Sequence, residues 1–278
     1  MTRNGVRGSR EDDEHIVLQF IELLLIGFGV GTYASLVGVG GGIALVPALL
    51  LLYPHLTPQG ATGISLAVIF FNAVSASVAY GRRKRIDYRT GFYFAGGTIP
   101  GAVLGSSVVA FIPRNVFSGV FGLILISLAT FLILRPEKSQ RQRHSSTAES
   151  ENGHRVPHNR WLGLLFGFLI GSIASLLGIG GGIIYVPVMV GLLNFTVHMA
   201  VATSLFIIAI MALGGGVTHF VNGVYTGFFH VIGLLALGTV LGAQFGARLS
   251  DVLKGRLIIR LFALALLAVG VRLCAESF

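Results

Sequence analysis

Charge is scarce in this sequence. Asp, Glu, Lys and Arg make up 11% of its 278 residues, where a soluble globular protein carries about 25%. A chain so poor in charge cannot cover a water-exposed surface, so lipid must solvate much of it. Cysteine is nearly absent. Cys274 stands alone, which excludes an internal disulfide and any cage of Cys ligands around a metal. The Gly-x4-Gly-Lys-Ser/Thr run that cradles nucleotide phosphates does not occur, so the chain is not by itself an ATP-driven pump. No paired carboxylates, His–carboxylate cluster or activated nucleophile lies in the apolar stretches, so an intramembrane enzyme has no visible catalytic set. The sequence offers no cofactor motif. A short apolar region followed by an Ala-x-Ala-like site, the mark of a cleavable leader, is also missing.

What the sequence has in abundance is apolar length. It is 54% hydrophobic, and the apolar residues come in runs. About 20 residues at ~1.5 Å each cross a ~30 Å hydrocarbon core. After a polar tail, residues 1–15, the run 16–37 is long enough to span. Gly38, Val39, Gly40, Gly41 and Gly42 interrupt it, and a shorter piece, 43–53, ends at Pro54 and Pro58. Further spans fall at 60–80, 88–111 and 116–134. Residues 135–160 are rich in Arg, Ser, Glu, Gln and His and read as a disordered linker. Its His144, His154 and His158 lack a scaffold that could hold a metal. The pattern then resumes, with 161–177, a break at 178–182, a short piece 183–193, and spans at 198–220, 227–248 and 253–273. The expected fold is an all-α, polytopic membrane protein.

The halves 16–134 and 161–278 are copies. Residues 34–47 read ASLVGVGGGIALVP and residues 174–187 read ASLLGIGGGIIYVP, identical at ten of fourteen positions. Ile64-Ser65-Leu66 matches Thr203-Ser204-Leu205, and Gly101-Ala102-Val103-Leu104-Gly105 is set against Gly238-Thr239-Val240-Leu241-Gly242. Charge then predicts orientation. The loop 81–89 carries Arg82, Arg83, Lys84, Arg85 and Arg89, while its counterpart 221–226 carries none. The loop 111–115 has only Arg114, while its counterpart 248–256 has Arg248, Lys254 and Arg256. Basic loops stay in the cytoplasm, so equivalent loops must lie on opposite sides and the repeats must be inverted. Three spans plus a broken hairpin per repeat would satisfy this, as would five crossings with one short. The clustering of basic residues in loops, without a basic face interleaved with aromatics, speaks against nucleic acid as a partner; the expected partners are the bilayer and a small solute.

The glycine runs are the candidate site. Unpaired backbone groups are costly in hydrocarbon, so a break survives only against protein or a water-filled cavity. Helix N-termini attract anions through free N–H groups and the dipole, and inverted repeats bring two such ends toward the midplane. The candidate anion-binding residues are Gly40, Gly41, Gly42, Ser65 and Asn72 in the first repeat, and Gly180, Gly181, Gly182, Thr203 and Ser204 in the second. Ser65 and Asn72, seven apart, share a helix face. Thr62, Ser75 and Thr218 are further polar residues of the same spans. Glycine runs also serve close helix packing, and hydroxyls also bridge helices. For proton coupling the candidates are His219 and Glu22, although a histidine near an interface, like His230, is ordinary.

The two ASLxGxGGGxxxVP segments, each followed by a Ser-Leu span and a PGAVLG-like span, resemble the TauE/SafE family of sulfite exporter-like permeases. The resemblance covers roughly residues 18–273 apart from the linker. It implies a multi-pass protein of the cytoplasmic membrane with about eight helices, carrying small anions such as sulfite or organosulfonates. Met211 stands where Asn72 would be repeated, and Gly215 and Gly216 replace Ala76 and Ser77. A secondary transporter working by alternating access is the leading expectation. An anion channel and a membrane-embedded enzyme are the alternatives.

Overall fold

The computed structural model describes residues 20–134 apart from 37, 39 and 54, residues 160–249 apart from 194, and residues 267–275. The tail 1–15, linker residues 135–159 and positions 253–266 of the last expected span lie outside the described residues. Among the described residues there are helices and turns and no strand. The first repeat contains α1 (Phe20–Leu36), α2 (Gly42–Leu52), α3 (Pro58–Arg82), α4 (Tyr88–Val108, continued by the 3-10 turn Val109–Phe111) and α5 (Arg114–Leu134). The second contains α6 (Arg160–Leu177), α7 (Gly182–Leu192), α8 (Val197–Val221), α9 (Phe229–Leu249) and α10, residues 267–275. The repeat extends to helix length: α2 and α7 have 11 residues each, α3 and α8 have 25, α4 and α9 have 21.

Local chemistry sets the boundaries. Thr57 and Thr196 cap α3 and α8 by accepting from the N–H groups of Gly60 and Met199, and the Asp87 carboxylate accepts from Arg89 and Thr90 at the start of α4. At both breaks the chain turns through glycines with positive φ: Gly38, Gly40 and Gly41 in one, Gly178, Gly180 and Gly181 in the other. A Cβ disfavours that region, so the glycines are required there. The turn sends the chain back on itself. A Cβ on Gly41 would lie 2.9 Å from Val30 and 3.2 Å from Ala34; one on Gly181 would lie 3.0 Å from Ala174 and 3.4 Å from Ile170. Each glycine-broken segment is therefore a hairpin that enters and leaves at one end of the bundle. The alternative of five crossings per repeat is not what the chain adopts.

The long helices α3, α4, α8 and α9 cross the bundle, and contacts among α3, α8 and α9 fix its polarity. Gly63, early in α3, abuts His219 at the end of α8 and Val224 in the loop that follows. At the other end of α3, Arg83 donates to the Ala247 carbonyl at the end of α9. The loop after α3 (83–87) and the loop after α8 (222–228) thus lie at opposite ends, here the basic end and the far end, and the repeats are inverted. Hairpin 1 (α1–α2) enters from the far end. Hairpin 2 (α6–α7) enters from the basic end.

Each hairpin is clamped by the fourth helix of the other repeat. Side chains at Gly97, Gly101 and Gly105 of α4 would collide with the Leu164, Phe168 and Ser172 carbonyls of α6, and side chains at Gly238, Gly242 and Gly246 of α9 with those of Leu24, Phe28 and Thr32 of α1. Small residues four apart let two backbones touch, the usual device of membrane helices. This pairing corrects the register read from sequence. Gly101 corresponds to Gly242, one turn further along than Gly238, and GTIPGAVLG (97–105) superposes on GTVLGAQFG (238–246). The apolar pentad misled because leucines are common everywhere in such helices, whereas the four-residue glycine spacing is a contact. Around this core, α3, α4 with its 3-10 turn, α8 and α9 are long and apolar enough to cross a membrane. Their outer faces expose Phe71, Phe92, Phe111, Val217 and Leu237, as a surface facing lipid does. The protein is an all-α, multi-pass membrane protein.

Candidate functional site at the crossing of the two hairpins

The hairpin tips meet in the centre. A Cβ on Gly40 would lie 3.3 Å from the Gly180 Cα and 3.4 Å from Ile208, and one on Gly42 would collide with the Gly178 carbonyl. The sequence-predicted glycines Gly40, Gly41, Gly42, Gly180, Gly181 and Gly182 are all brought together here, and all are buried. Helices α2 and α7 begin at the crossing. Their first N–H groups have no carbonyl one turn back within their own helix, and no side chain caps either start. The positive ends of two helix dipoles converge on one small region.

Two serines tie the crossing together with the two-fold pattern of the repeats. Ser65 of α3 donates to the Gly178 carbonyl at 2.8 Å. Ser204 of α8 lies 3.2 Å from the Gly38 carbonyl and 2.9 Å from that of Val201, sharing its proton between them. Each thus satisfies a carbonyl in the break of the hairpin entering from the far side of its own helix start. In this conformation both hydroxyl protons are engaged, and the crossing is closed and packed. Asn72 is 1% exposed, on the same face of α3, and neither its amide nitrogen nor its amide oxygen has a partner among the described residues.

Of the other predicted residues, Thr62 backs onto Gly178 at the crossing, and the rest lie elsewhere. Thr203 accepts from the Asp87 N–H at 3.0 Å, so it braces the basic loop and is not at the crossing. Thr62 bonds within its own turn. Ser75 donates to the Val240 carbonyl and accepts from Gln244, which joins α3 to α9. Glu22 is exposed near the start of α1. His219 is more deeply placed than its position beside a loop suggests. It is fully buried behind Gly63, and both ring nitrogens lack a partner among the described residues.

Sequence reasoning missed the far-end vestibule. Two adjoining cavities, about 560 and about 300 Å³, share His55, Leu56, Thr57 and Gln59. Arg114 lines the smaller one and donates to the Leu56 and Leu50 carbonyls, tying α5 to the end of hairpin 1. The signal was present: Arg114 is the lone cation in a loop otherwise free of charge. Among the described residues no group of His, Cys, Asp or Glu is arranged to hold a metal.

Known proteins share this sequence pattern. The chain is 34% identical to "Probable membrane transporter protein YunE" of Bacillus subtilis, over 94% of this chain and 99% of that protein. It is 29% identical to "Probable membrane transporter protein ORF9" of a Sinorhizobium species, over 91% and 92% respectively. No solved structure is significantly similar. The family described as sulfite exporter TauE/SafE matches residues 23–273. On this match and these relatives, the chain belongs to the TauE/SafE family of membrane proteins.

Proposed function

We propose that this protein is a secondary transporter that carries a small oxoanion, of the sulfite or organosulfonate kind, across the cytoplasmic membrane by alternating access. The observation that carries the reading is the crossing itself. Two inverted, glycine-broken hairpins enter from opposite ends and present two helix N-termini to one central region, without a fixed cation. Helix N-termini suit an anion, and inverted repeats around a central site suit a carrier that opens to each side in turn. The relatives' names and the family description support transport, and the latter supports the substrate class. In this account the packed crossing is the occluded form. Movement of either hairpin frees the proton of Ser65 or Ser204 from its carbonyl, and that proton then serves the anion. The basic end, with Arg82, Arg83, Lys84, Arg85 and Arg89, faces the cytoplasm under the positive-inside rule, and Arg114 at the far end draws anions to the vestibule. His219, buried and titratable, is the better placed of the two proton-coupling candidates; Glu22 is at the surface.

The test is flux. Purified protein in liposomes should move radiolabelled sulfite and organosulfonates, and leave neutral solutes of equal size behind. Equal passage of neutral solutes, or transport of none of the anions, would overturn the proposal.

A further inference from the structure

The two hairpins differ in how their buried polar groups are satisfied. Ser175 of hairpin 2 has partners: its hydroxyl lies 2.6 Å from Ser106 and 2.9 Å from the Ala102 carbonyl. Ser35 holds the equivalent place in hairpin 1 and is equally buried, yet its hydroxyl has no partner among the described residues. The cause is visible in the corrected register: where α4 has Ser106, α9 has Ala247. Asn72 repeats the asymmetry. Its amide is unpartnered, and α8 has Met211 in its place.

These groups share one face. On α3, Ser65 bonds to Gly178, Ile69 lies against Gly42, and the Tyr80 hydroxyl donates to the Ser35 carbonyl at 3.0 Å. Asn72 stands between Ile69 and Tyr80. All four fall within roughly an 80° arc at 3.6 residues per turn. The second repeat shows what faces the serine. A Cβ on Gly215 would lie 2.7 Å from the Ser175 hydroxyl, and the residue equivalent to Gly215 is Ala76, one turn from Asn72. Buried polar atoms without partners cost stability, and they cluster where a ligand completes them.

We infer that Ser35 and Asn72 form a one-sided binding site for the oxygens of the transported anion, behind the tip of hairpin 1, with no counterpart in the second repeat. The inference rests on the reading of the crossing as the substrate region and adds where the contacts lie. The Ser35 hydroxyl and the Asn72 amide nitrogen donate to charged oxygens. The Asn72 amide oxygen accepts from an O–H where the anion carries one. Substrate selectivity therefore resides in repeat 1; repeat 2 presents the apolar Met211 there, and its Ser175 is already satisfied by α4 and takes no part in binding.

The experiment uses full-length Asn72→Met, Ser35→Ala and Ser175→Ala, each purified and reconstituted. Sulfite uptake gives KM, and thermal unfolding in detergent gives stability. Asn72→Met places in α3 the residue α8 already uses. It and Ser35→Ala should unfold no earlier than the parent while KM rises about tenfold or more. Ser175→Ala should do the reverse, unfolding earlier with KM unchanged. Parental KM in both repeat 1 variants overturns the inference, and so does failure of those variants to fold, because an unpartnered group can be removed without loss of native bonds. A parent that moves no oxoanion at all brings down the transport reading and this inference with it, and that result is read from the parent alone.

Discussion

At the scale of the residue, the crossing depends on single hydrogen bonds between buried groups. Ser65→Ala would strand the Gly178 carbonyl, buried and unsatisfied. We expect it to lower stability by about 1–3 kcal/mol, read as earlier thermal unfolding of the purified protein. An unchanged transition would mean that the bond contributes nothing to the closed form. The sequence made Ser65 and Ser204 conspicuous, because they recur in both repeats, and it placed Asn72 on the face of Ser65. It could not say which group each one touches. A helical pattern gives a direction, and the partner comes from another element over a hundred residues away. Ser35 escaped notice altogether. It lies inside the repeated motif, where identity between repeats disguises the fact that only Ser175 has a neighbouring hydroxyl.

At the scale of the element, helices meet through glycine seams, and the seams explain why the hairpins can lie so close to α4 and α9. Gly101→Leu would force α4 away from the Phe168 carbonyl, and Gly242→Leu would do the same to α9 against Phe28. Both should lose monodisperse protein in size-exclusion chromatography. Gly233→Leu lies in the same helix as Gly242 but meets nothing within 4 Å, so it should elute as the parent does. Equal behaviour of Gly242→Leu and Gly233→Leu would show that the seam is not a constraint. Span positions were legible from apolar length, and the breaks from the glycine runs. The fold-back was not, since a break reads the same whether the chain continues or returns. The contacts of Gly41 with Val30 and of Gly181 with Ala174 decide it. The one-turn slip between α4 and α9 has a similar origin, because only the partner helix distinguishes a seam glycine from any other.

At the scale of the whole molecule, inversion was readable from charge before any contact was known. Five basic residues in the loop 81–89 and none in 221–226 place equivalent loops on opposite sides, and the bundle agrees. Cysteines introduced at Lys84 and Gly223 should therefore label from opposite faces of the membrane with an impermeant reagent, after replacement of the native Cys274. Labelling of both from one face would contradict the inverted arrangement. The asymmetry between the halves, Asn72 against Met211 and Ser106 against Ala247, gives the two inverted repeats different buried polar groups. The central claim is that these halves move an anion by exposing one site to each side in turn. Solute counterflow measures that most directly. Liposomes loaded with unlabelled sulfite and diluted into a trace of labelled sulfite should transiently accumulate label above the outside concentration, with saturation as sulfite is raised. Label that only equilibrates, at a rate linear in concentration, would mark an open pore and contradict alternating access.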